Sequence, residues 1–494
     1  MNFSRLKTVI NSRGFAANFF ALVSGSLVAQ AITIIVSPIL TRLYTSAEMG
    51  VYSNYVALLS ILGGIACLQY DQAIILPEKD EDGANVFGLC LCVAGCVALL
   101  CAAIVIPLRK QIAALLKASS FNQWILLLPF SIFLAGANKA LNFWNSRKRN
   151  LKRVAAASVV STATSSGTQF ALGLESIHIP GGMICGHLLG QGVAAFHLFV
   201  RMLREDWRYL YHHIHIGEMR AMGRRYKRFL IYSTPSALCD NAWAAMPSLL
   251  LAFFFGSSVS GYYALSFRTL SLPLSVIGGS LAQAFLPEAQ RAKQANRLAK
   301  AAETMFHTLL RLGTTPLLLL AFVAPDLIAL VFGKGWYISG EYIQWLSPWL
   351  LLSFLYSPMS NLFIVLERQR EFMMLNIVAL FMRLAALIGG GLLGDHMVAI
   401  ALFGIQSAIM SLLCCCYAMN QVDISVGRVL LYIIQQVFHS LLYVIPIIPV
   451  LILVGNGIWS VSVAVLSGCA FLLLEGKTIL RTLRKNDSGD EKSR

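Results

Sequence analysis

Charged residues are scarce in this sequence. Asp, Glu, Lys and Arg make up 13% of the 494 residues, whereas a soluble globular domain contains about 25%. Hydrophobic residues reach 57%, above the roughly 45–50% of such domains. The composition therefore excludes a soluble enzyme, a disordered scaffold and a disulfide-rich secreted module. It indicates a membrane protein with many spans.

Motifs for metals, nucleotides and covalent catalysis are also missing. The 11 Cys lie in apolar stretches, and none combines a CxxC spacing with His, so we predict neither a zinc site nor a disulfide framework. Asp80-Glu81-Asp82 lies in a short acidic loop and is interpreted as a solvated turn. The sequence has no Walker loop and no GxSxG motif. We expect no catalytic residues, no metal and no bound cofactor.

Long apolar runs, in contrast, are plentiful. A helix needs about 20 mostly apolar residues to cross a bilayer, and fourteen runs qualify. Their approximate ranges are 15–40, 51–76, 84–107, 123–143, 154–173, 178–200, 229–255, 260–285, 304–325, 342–366, 372–392, 397–418, 429–453 and 458–475. The fifth run is the least hydrophobic because it is rich in Ser and Thr. The last two are also weak, so twelve spans is the alternative. We predict an all-α polytopic membrane protein.

The net charge of the chain is +16, and the positions of its Lys and Arg residues predict the orientation in the membrane. If the N-terminus is cytoplasmic and every run crosses, 30 of the 39 Lys and Arg lie in cytoplasmic segments. Positive residues favour the cytoplasmic side of a membrane protein. We therefore expect a multi-pass protein of the bacterial inner membrane with both termini in the cytoplasm. Nucleic-acid binding is not expected, since no motif supports it.

A sequence pattern occurs twice. Gly50-Val51-Tyr52 opens the second span and Leu76-Pro77-Glu78 ends it, while Gly261-Tyr262-Tyr263 opens the eighth span and Leu286-Pro287-Glu288 ends it. Six predicted spans separate the copies, which gives them the same orientation, as in transporters built from parallel repeats. We predict an N-lobe of six spans over residues 1–205 and a C-lobe of six spans over 206–425. Residues 426–494 would hold spans thirteen and fourteen and a disordered cytoplasmic tail.

Four basic residues fall inside predicted spans, where a charge is costly and marks a functional position. These are Lys139, Arg268, Arg311 and Arg383. We expect them to line a shared water-filled cavity; snorkelling or structural ion pairing is the alternative. The segment 286–303, with basic residues among Ala and Leu, is predicted to be an amphipathic helix on the inner membrane face.

Two acidic residues inside spans are candidates for ion coupling. Asp240 lies near the middle of its span, and Asp71 lies about a turn and a half from the cytoplasmic end of its own. For Asp71, an interfacial position or a structural ion pair is the favoured interpretation. For Asp240, a proton or ion relay and a structural pair with one of the arginines both stay open.

Uncharged polar residues form two stripes. Asn138, Asn142 and Asn145 recur at the spacing of one helix face, and the fifth span carries Ser161, Ser165 and Gln169 among other polar residues. Such stripes either line a cavity or hold helices together, since lipid cannot satisfy their hydrogen bonds. Both interpretations stay open. Gln191 adds a further polar position in the sixth span.

An ordered set of segments carries a family resemblance over about residues 10–420. They are SPILTRLYTSAEMGVYSNYVALLSIL, AIILPEKDEDGANVFGL, SRKRNLKR, the stretch from YKRFLIYSTPSALCDNAW to GGSLAQAFLPE, and LVFGKGWYISGEYIQWLSPWLLLSFLYSPMSNLFIVLERQR. This set resembles the polysaccharide-exporter family, the Wzx-type O-antigen and exopolysaccharide flippases of the multidrug/oligosaccharidyl-lipid/polysaccharide (MOP) superfamily.

The resemblance implies two six-helix lobes around a central cationic cavity, as in MATE-like proteins of this superfamily. It implies alternating access that carries an undecaprenyl-diphosphate-linked oligosaccharide from the cytoplasmic to the periplasmic leaflet, with transport and no enzyme activity. Expected partners are this lipid, the bilayer, and the polymerase and chain-length proteins of the same pathway. A proton or sodium gradient is the expected energy source. The excess of intramembrane basic residues suits a diphosphate, and Asn, Gln, Ser and Thr suit sugar hydroxyls.

Two other functions stay open from the sequence. A drug or cation antiporter of the same superfamily would need a cavity dominated by acidic residues, whereas basic residues dominate here. A membrane glycan polymerase or ligase would need a long outer loop with catalytic Arg or His, and the predicted outer loops are short.

Overall fold

The computed structural model describes residues 13–174, 179, 181–447, 449 and 457–491. Within these ranges the chain is helical and contains no strand. Fourteen long helices account for most of it. They are α1 (Arg13–Leu43), α2 (Ser46–Gly64), α3 (Asp80–Leu115), α4 (Leu128–Arg147), α5 (Leu151–Gly173), α6 (Gly182–His213), α7 (Thr234–Phe255), α8 (Ser257–Gln294), α9 (Leu298–Phe332), α10 (Tyr337–Met359), α11 (Gln369–Leu392), α12 (His396–Asn420), α13 (Val426–Val444) and α14 (Ile458–Glu491).

The predicted all-helical membrane fold is confirmed. In the described ranges, ten helical segments are long and apolar enough to cross a bilayer. Four of the fourteen helices, α2, α5, α8 and α13, are outside this set of ten. The helix α5 is the Ser- and Thr-rich span that the sequence marks as least hydrophobic. The number of crossings, fourteen or twelve, stays a prediction.

The chain divides into two compact units, Met1–Gly261 and Tyr262–Arg494. The predicted lobe boundary at residue 205 lies earlier, because it assigns α7 to the C-lobe. In the structure α7 packs against α2 of the first unit. Ser248 of α7 makes hydrogen bonds to Ser53 (2.8 Å) and Asn54 (3.3 Å) of α2, which explains this grouping.

The two copies of the repeated pattern have different backbones. In the first copy, α2 ends at Gly64, Leu68 and Gln69 have positive φ, and a 3₁₀ segment follows at Tyr70–Ile75. In the second copy, Pro287 lies inside the continuous helix α8. A break in a span frees backbone carbonyls, which must find partners inside the protein.

Two expectations about the chain's surface segments are wrong. The predicted amphipathic helix at 286–303 does not form as a separate element, because α8 runs to Gln294 and α9 begins at Leu298. The short turn between them has Asn296 at a φ of 53°. The predicted disordered tail is helical as far as Glu491, and residues 492–494 lie outside the described residues.

Gly50 and Gly261 open the two copies of the pattern. Gly50 of α2 packs against α8, and Gly261 of α8 packs against α2. A Cβ added to Gly50 would lie 1.7 Å from the carbonyl oxygen of Ser257, and one added to Gly261 would lie 2.0 Å from that of Ser46. Next to them, Ser260 donates to Asn54 Oδ1 at 2.8 Å. The start of α8 and the start of α2 therefore cross in backbone contact, which only glycine permits.

We expect Gly50→Ala and Gly261→Ala to lower the melting temperature of the purified protein and its amount in the membrane. Overpacking of this kind costs about 1–3 kcal/mol, and the obstacle here is backbone. The matched control is Gly95→Ala in α3, where an added Cβ meets nothing within 4 Å. A Gly50→Ala protein as stable as Gly95→Ala would contradict the helix crossing.

Candidate functional site: a polar cavity in the first unit

A cavity of about 580 Å³ lies among α1, α4, α5 and α6 of the first unit. Its polar lining is uncharged. The lining residues are Ser26, Ala135, Asn138, Asn142, Val154, Ala155, Ala157, Ser158, Ser161, Thr162, Gln191, Ala194 and Leu198. The cavity can therefore offer hydrogen bonds from amide and hydroxyl groups but no ion pair.

The two polar stripes meet at this cavity. Asn138 and Asn142 are four residues apart on α4, and Ser158 and Ser161 are three apart on α5, so each pair lies on one helix face. The helix α5 packs along both α1 and α6, which brings its stripe opposite the Asn face. The structure thus places Asn138, Asn142 and Ser161 together.

The other end of the α5 stripe packs helices instead. A Cβ on Gly186 would lie 2.5 Å from Gln169 Cγ, and one on Gly190 would lie 2.8 Å from Ser165 Cβ. Gln169 Nε2 also donates to the carbonyl of Met183 at 3.1 Å. Ser165 and Gln169 are not among the lining residues. One end of the stripe on α5 therefore lines a cavity, and the other end packs against α6, so both interpretations apply.

A chain of hydrogen bonds lies behind the cavity wall. Asn138 Nδ2 donates to the backbone carbonyl of Gln191 at 2.9 Å, and the amide nitrogen of Gln191 lies 2.8 Å from His187 Nε2. The hydroxyl of Tyr52 lies 3.5 Å from His187 Nδ1. The sequence analysis did not single out His187. Its spacing of four residues from Gln191 on one helix face was the available signal.

Lys139 is not part of the cavity wall. Its ammonium group donates to the carbonyl of Gly64 at 2.6 Å, where Gln69 Nε2 also donates at 3.0 Å. Neighbouring residues on a helix point about 100° apart, so Lys139 cannot share the direction of Asn138. Lys139 is therefore absent from the lining of this cavity, and it donates instead to the carbonyl at the broken end of α2. A role for Lys139 in a shared cationic cavity stays a prediction.

The two acidic candidates have opposite surroundings. Asp71 lies in the 3₁₀ segment after the break and is buried, with 4% of its surface exposed. Its Oδ1 atom has no hydrogen-bond partner among the described residues. Asp240 lies on α7 and is exposed. Neither residue forms an ion pair within 4.0 Å with any residue in the described part of the chain.

The other three basic candidates all belong to the second unit. The guanidinium of Arg383 on α11 lies 5.1 Å from the ring centroid of Trp349, a distance at which a cation–π contact is stabilising. Trp349 packs in turn against Phe403, with ring centroids 5.1 Å apart. Arg268 is half-buried on α8, whereas Arg311 is exposed on α9. The Trp349 ring thus gives the guanidinium of Arg383 an aromatic platform.

Buried polar contacts hold the last two helices to α9. Ser460 of α14 donates to Asp326 Oδ2 at 2.7 Å, and the hydroxyls of Thr315 and Ser440 lie 2.8 Å apart between α9 and α13. The sequence analysis did not single out Asp326, because this residue lies just beyond the predicted ninth span (304–325). No cluster of His, Cys, Asp and Glu in the described ranges could hold a metal ion.

The fold resembles solved structures of MOP-superfamily transporters. One is the lipid II flippase MurJ in an inward closed conformation, with a TM-score of 0.69 and 12% identity, covering 92% of this chain and 100% of that one. Another is a multidrug resistance MATE family transporter in an inward-facing conformation, with a TM-score of 0.62 and 12% identity, covering 80% and 98%.

A third structure is that of a MOP superfamily transporter from Pyrococcus furiosus with a binding pocket of reverse polarity. Its TM-score is 0.53 at 14% identity, and the alignment covers 83% of this chain and 95% of that one. At these identities the likeness shows the fold, which is that of the MOP superfamily.

Among curated protein sequences, none matches the chain. The family comparison does identify it. Residues 39–341 match the family described as polysaccharide biosynthesis protein. This range covers more than half of the chain, and the protein therefore belongs to that polysaccharide biosynthesis family.

Proposed function

We propose that this protein is a flippase for a polyprenyl-diphosphate-linked oligosaccharide, an O-antigen or exopolysaccharide repeat unit. It moves this lipid by alternating access from the cytoplasmic to the periplasmic leaflet of the inner membrane, with both termini in the cytoplasm. The observation that carries the proposal is the uncharged polar cavity of the first unit. Its lining suits sugars, whereas three intramembrane arginines belong to the second unit.

The cavity matches the chemistry of a glycan. Its volume of about 580 Å³ falls in the range of small-molecule sites, about 300–1,000 Å³. Amide and hydroxyl side chains both donate and accept hydrogen bonds, as sugar hydroxyls do. Asn138, Asn142 and Ser161 supply such groups from two helices facing each other across the cavity.

The diphosphate needs a different environment. A buried charge costs several kcal/mol even when partly solvated, so a cation must replace the water around the phosphates. Arg383 is the best placed, because the Trp349 ring already orders its guanidinium and the planar fork can bind two phosphate oxygens at once. Arg268 and Arg311 are further candidates in the same unit.

The alternative functions fit the described site less well. A drug or cation antiporter would place acidic residues in its cavity, whereas the lining here has none. A membrane glycan polymerase or ligase would need a catalytic group on an extended outer loop, and the described connections that the predicted topology places outside, such as 116–127 and 393–395, are short.

Deletion of the gene in its native host tests the proposal. We expect the lipid-linked oligosaccharide to accumulate, and to be found in the cytoplasmic leaflet when inverted and right-side-out vesicles are probed with an impermeant lectin. Plasmid-borne wild-type protein should restore export. Normal surface polysaccharide in the deletion strain, without accumulation, would contradict the proposed function.

Substitutions at Arg383 should have graded effects on export in the complemented strain. We expect Arg383→Lys to impair export, Arg383→Ala to reduce it by about tenfold to a hundredfold, and Arg383→Glu to abolish it. A charge-assisted hydrogen bond is worth about 1.5–3 kcal/mol, which corresponds to this range. Protein levels in the membrane, measured by immunoblot, should stay normal.

Two comparisons separate a phosphate clamp from a structural role of Arg383. Trp349→Phe keeps an aromatic ring under the guanidinium and should retain most of the export. If Arg383 were only structural, Arg383→Ala would lower the protein level in the membrane together with export. Such a parallel loss would count against the clamp.

We propose that a proton or sodium gradient drives transport through Asp240, with Asp71 as the second candidate. Asp240→Asn should abolish or uncouple export without loss of protein, because the amide can neither titrate nor attract a cation. The control is Asp423→Asn, an exposed position with a φ of 64°, which Asn tolerates. Export by Asp240→Asn that still responds to the gradient would remove this residue from the coupling.

A further inference from the structure

Another cavity, of about 480 Å³, lies at the end of α3. The last turns of this helix and the connection after it form the cavity. Its lining residues are Lys110, Ala113, Ala114, Lys117, Ala118, Ser119 and Asn122. The polar cavity among α1, α4, α5 and α6 has an uncharged lining, whereas this one carries two positive charges and no negative charge.

Small side chains separate the two lysines. Lys110, Ala113 and Ala114 follow the i, i+3, i+4 spacing of one helix face. Lys117 comes directly after the end of the helix, at a φ of 49°. Lys110 and Ala114 are exposed, so this face is open to the surroundings. The alanines leave room for a ligand beside the ammonium groups.

A hydrogen bond fixes the position of Lys117. Its ammonium group donates to the backbone carbonyl of Phe254 at 2.6 Å. Phe254 lies in the last turn of α7, where carbonyls have no donor within their own helix. An ammonium group has three N–H donors. Two of them remain for a ligand, on a side chain that is already ordered.

The positive charge at this cavity is not neutralised by the protein. Among the described residues, Arg109, Lys110 and Lys117 form no ion pair within 4.0 Å. The sequence contains no Asp or Glu in residues 84–174 or 241–287, which include the cavity and the end of α7. A negatively charged ligand therefore meets no repulsion from these segments.

The cavity begins close to the end of the hydrophobic part of α3. The predicted span ends at residue 107, and Lys110 lies three residues further, a rise of about 4.5 Å along a helix. The hydrocarbon core of a bilayer is about 30 Å thick, and the headgroup layers extend it to about 40–45 Å. Lys110 therefore lies at the depth of the lipid headgroups.

Basic residues are rare on the side of the membrane to which the predicted orientation assigns this cavity. Five of the 39 Lys and Arg fall in predicted outer segments, and three of these five are Arg109, Lys110 and Lys117. Positive residues favour the cytoplasmic side, so the orientation of the protein does not explain a basic cluster outside.

We propose that this cavity binds the phosphate of an anionic lipid headgroup in the outer leaflet. Lys110 and Lys117 donate charge-assisted hydrogen bonds to the phosphate oxygens, and the hydroxyl of Ser119 is a further donor. A zwitterionic headgroup binds less well, because its own cation is repelled by the lysines. The inference goes beyond the proposed function, since the cavity shares no lining residue with the polar cavity.

The experiment measures binding of short-chain phosphatidylglycerol, kept below its micelle-forming concentration, to the full-length protein in detergent. Short-chain phosphatidylcholine and inorganic phosphate are the comparison probes, and phosphatidylglycerol should bind more tightly than either. Lys110→Gln should weaken phosphatidylglycerol binding by about tenfold, which corresponds to the loss of one charge-assisted hydrogen bond. Raising the KCl concentration should weaken wild-type binding, because salt screens exposed charges.

Two further variants separate a defined site from general positive charge. Ala114→Trp fills the cavity from an exposed position and keeps every charge, so it should weaken binding as strongly as Lys110→Gln. Lys334→Gln removes another exposed lysine of a predicted outer segment and should bind like wild type. All three variants should keep the wild-type melting temperature, because the substituted side chains are exposed.

Phosphatidylglycerol binding that is equal in wild type, Lys110→Gln and Ala114→Trp would overturn the proposal. An equal loss of binding in Lys334→Gln would also overturn it, since the effect would then be one of net charge. Inorganic phosphate that binds as tightly as phosphatidylglycerol, with the same dependence on Lys110, would assign the site to a free anion and contradict a lipid site. None of these outcomes depends on whether the deletion strain accumulates lipid-linked oligosaccharide.

Discussion

The position of α5 depends on close contacts at glycines. Gly25 of α1 lies against Ala155, and Gly186 and Gly190 of α6 lie against the Gln169 and Ser161 region of α5, so closely that an added Cβ would lie within 2.5–2.8 Å of a neighbouring atom. In a bilayer, helix association is driven by close packing and hydrogen bonds, since lipid is as apolar as any side chain. The Ser- and Thr-rich helix α5 is therefore held between two others, and part of its polar stripe lines the cavity.

A second constraint is the broken end of α2. The carbonyl of Gly64 receives both Lys139 and Gln69, which satisfies an acceptor that a continuous helix would have used. The buried carboxylate of Asp71 lies a few residues beyond. Lys139 thus serves the backbone in the first unit, on a face of α4 other than the one that lines the cavity.

The sequence predicted the helices well because their signal is local. Apolar length marks each span, and polar residues at helical spacing marked the two faces that meet at the cavity. Contacts between helices have no local signal. Residues 138–142 do not themselves show that Lys139 faces the end of α2 while Asn138 and Asn142 face the cavity, because the neighbours of this helix are far away in the sequence. Ser161 and Gln169 look equivalent along one stripe, yet only Ser161 lines the cavity, while the side chain of Gln169 donates to the carbonyl of Met183. The contact between the side chains of His187 and Gln191 depends on how deeply both are buried behind the cavity wall. Their spacing in the sequence does not show that depth.

The distribution of charge between the units has a physical rationale for an amphiphilic substrate. A lipid-linked oligosaccharide combines neutral sugars, whose hydroxyls need many weak hydrogen bonds, with a diphosphate, whose charge needs a cation in a site of low dielectric. A cation placed among the sugar-binding groups would attract the diphosphate to the wrong part of the protein, or would need a counter-charge that weakens it. In the proposed flippase, a neutral cavity wall in the first unit, with Arg383 held on an aromatic platform in the second unit, would avoid this competition. The same separation would let sugar specificity change through lining residues such as Asn142 while the diphosphate-binding group stays the same.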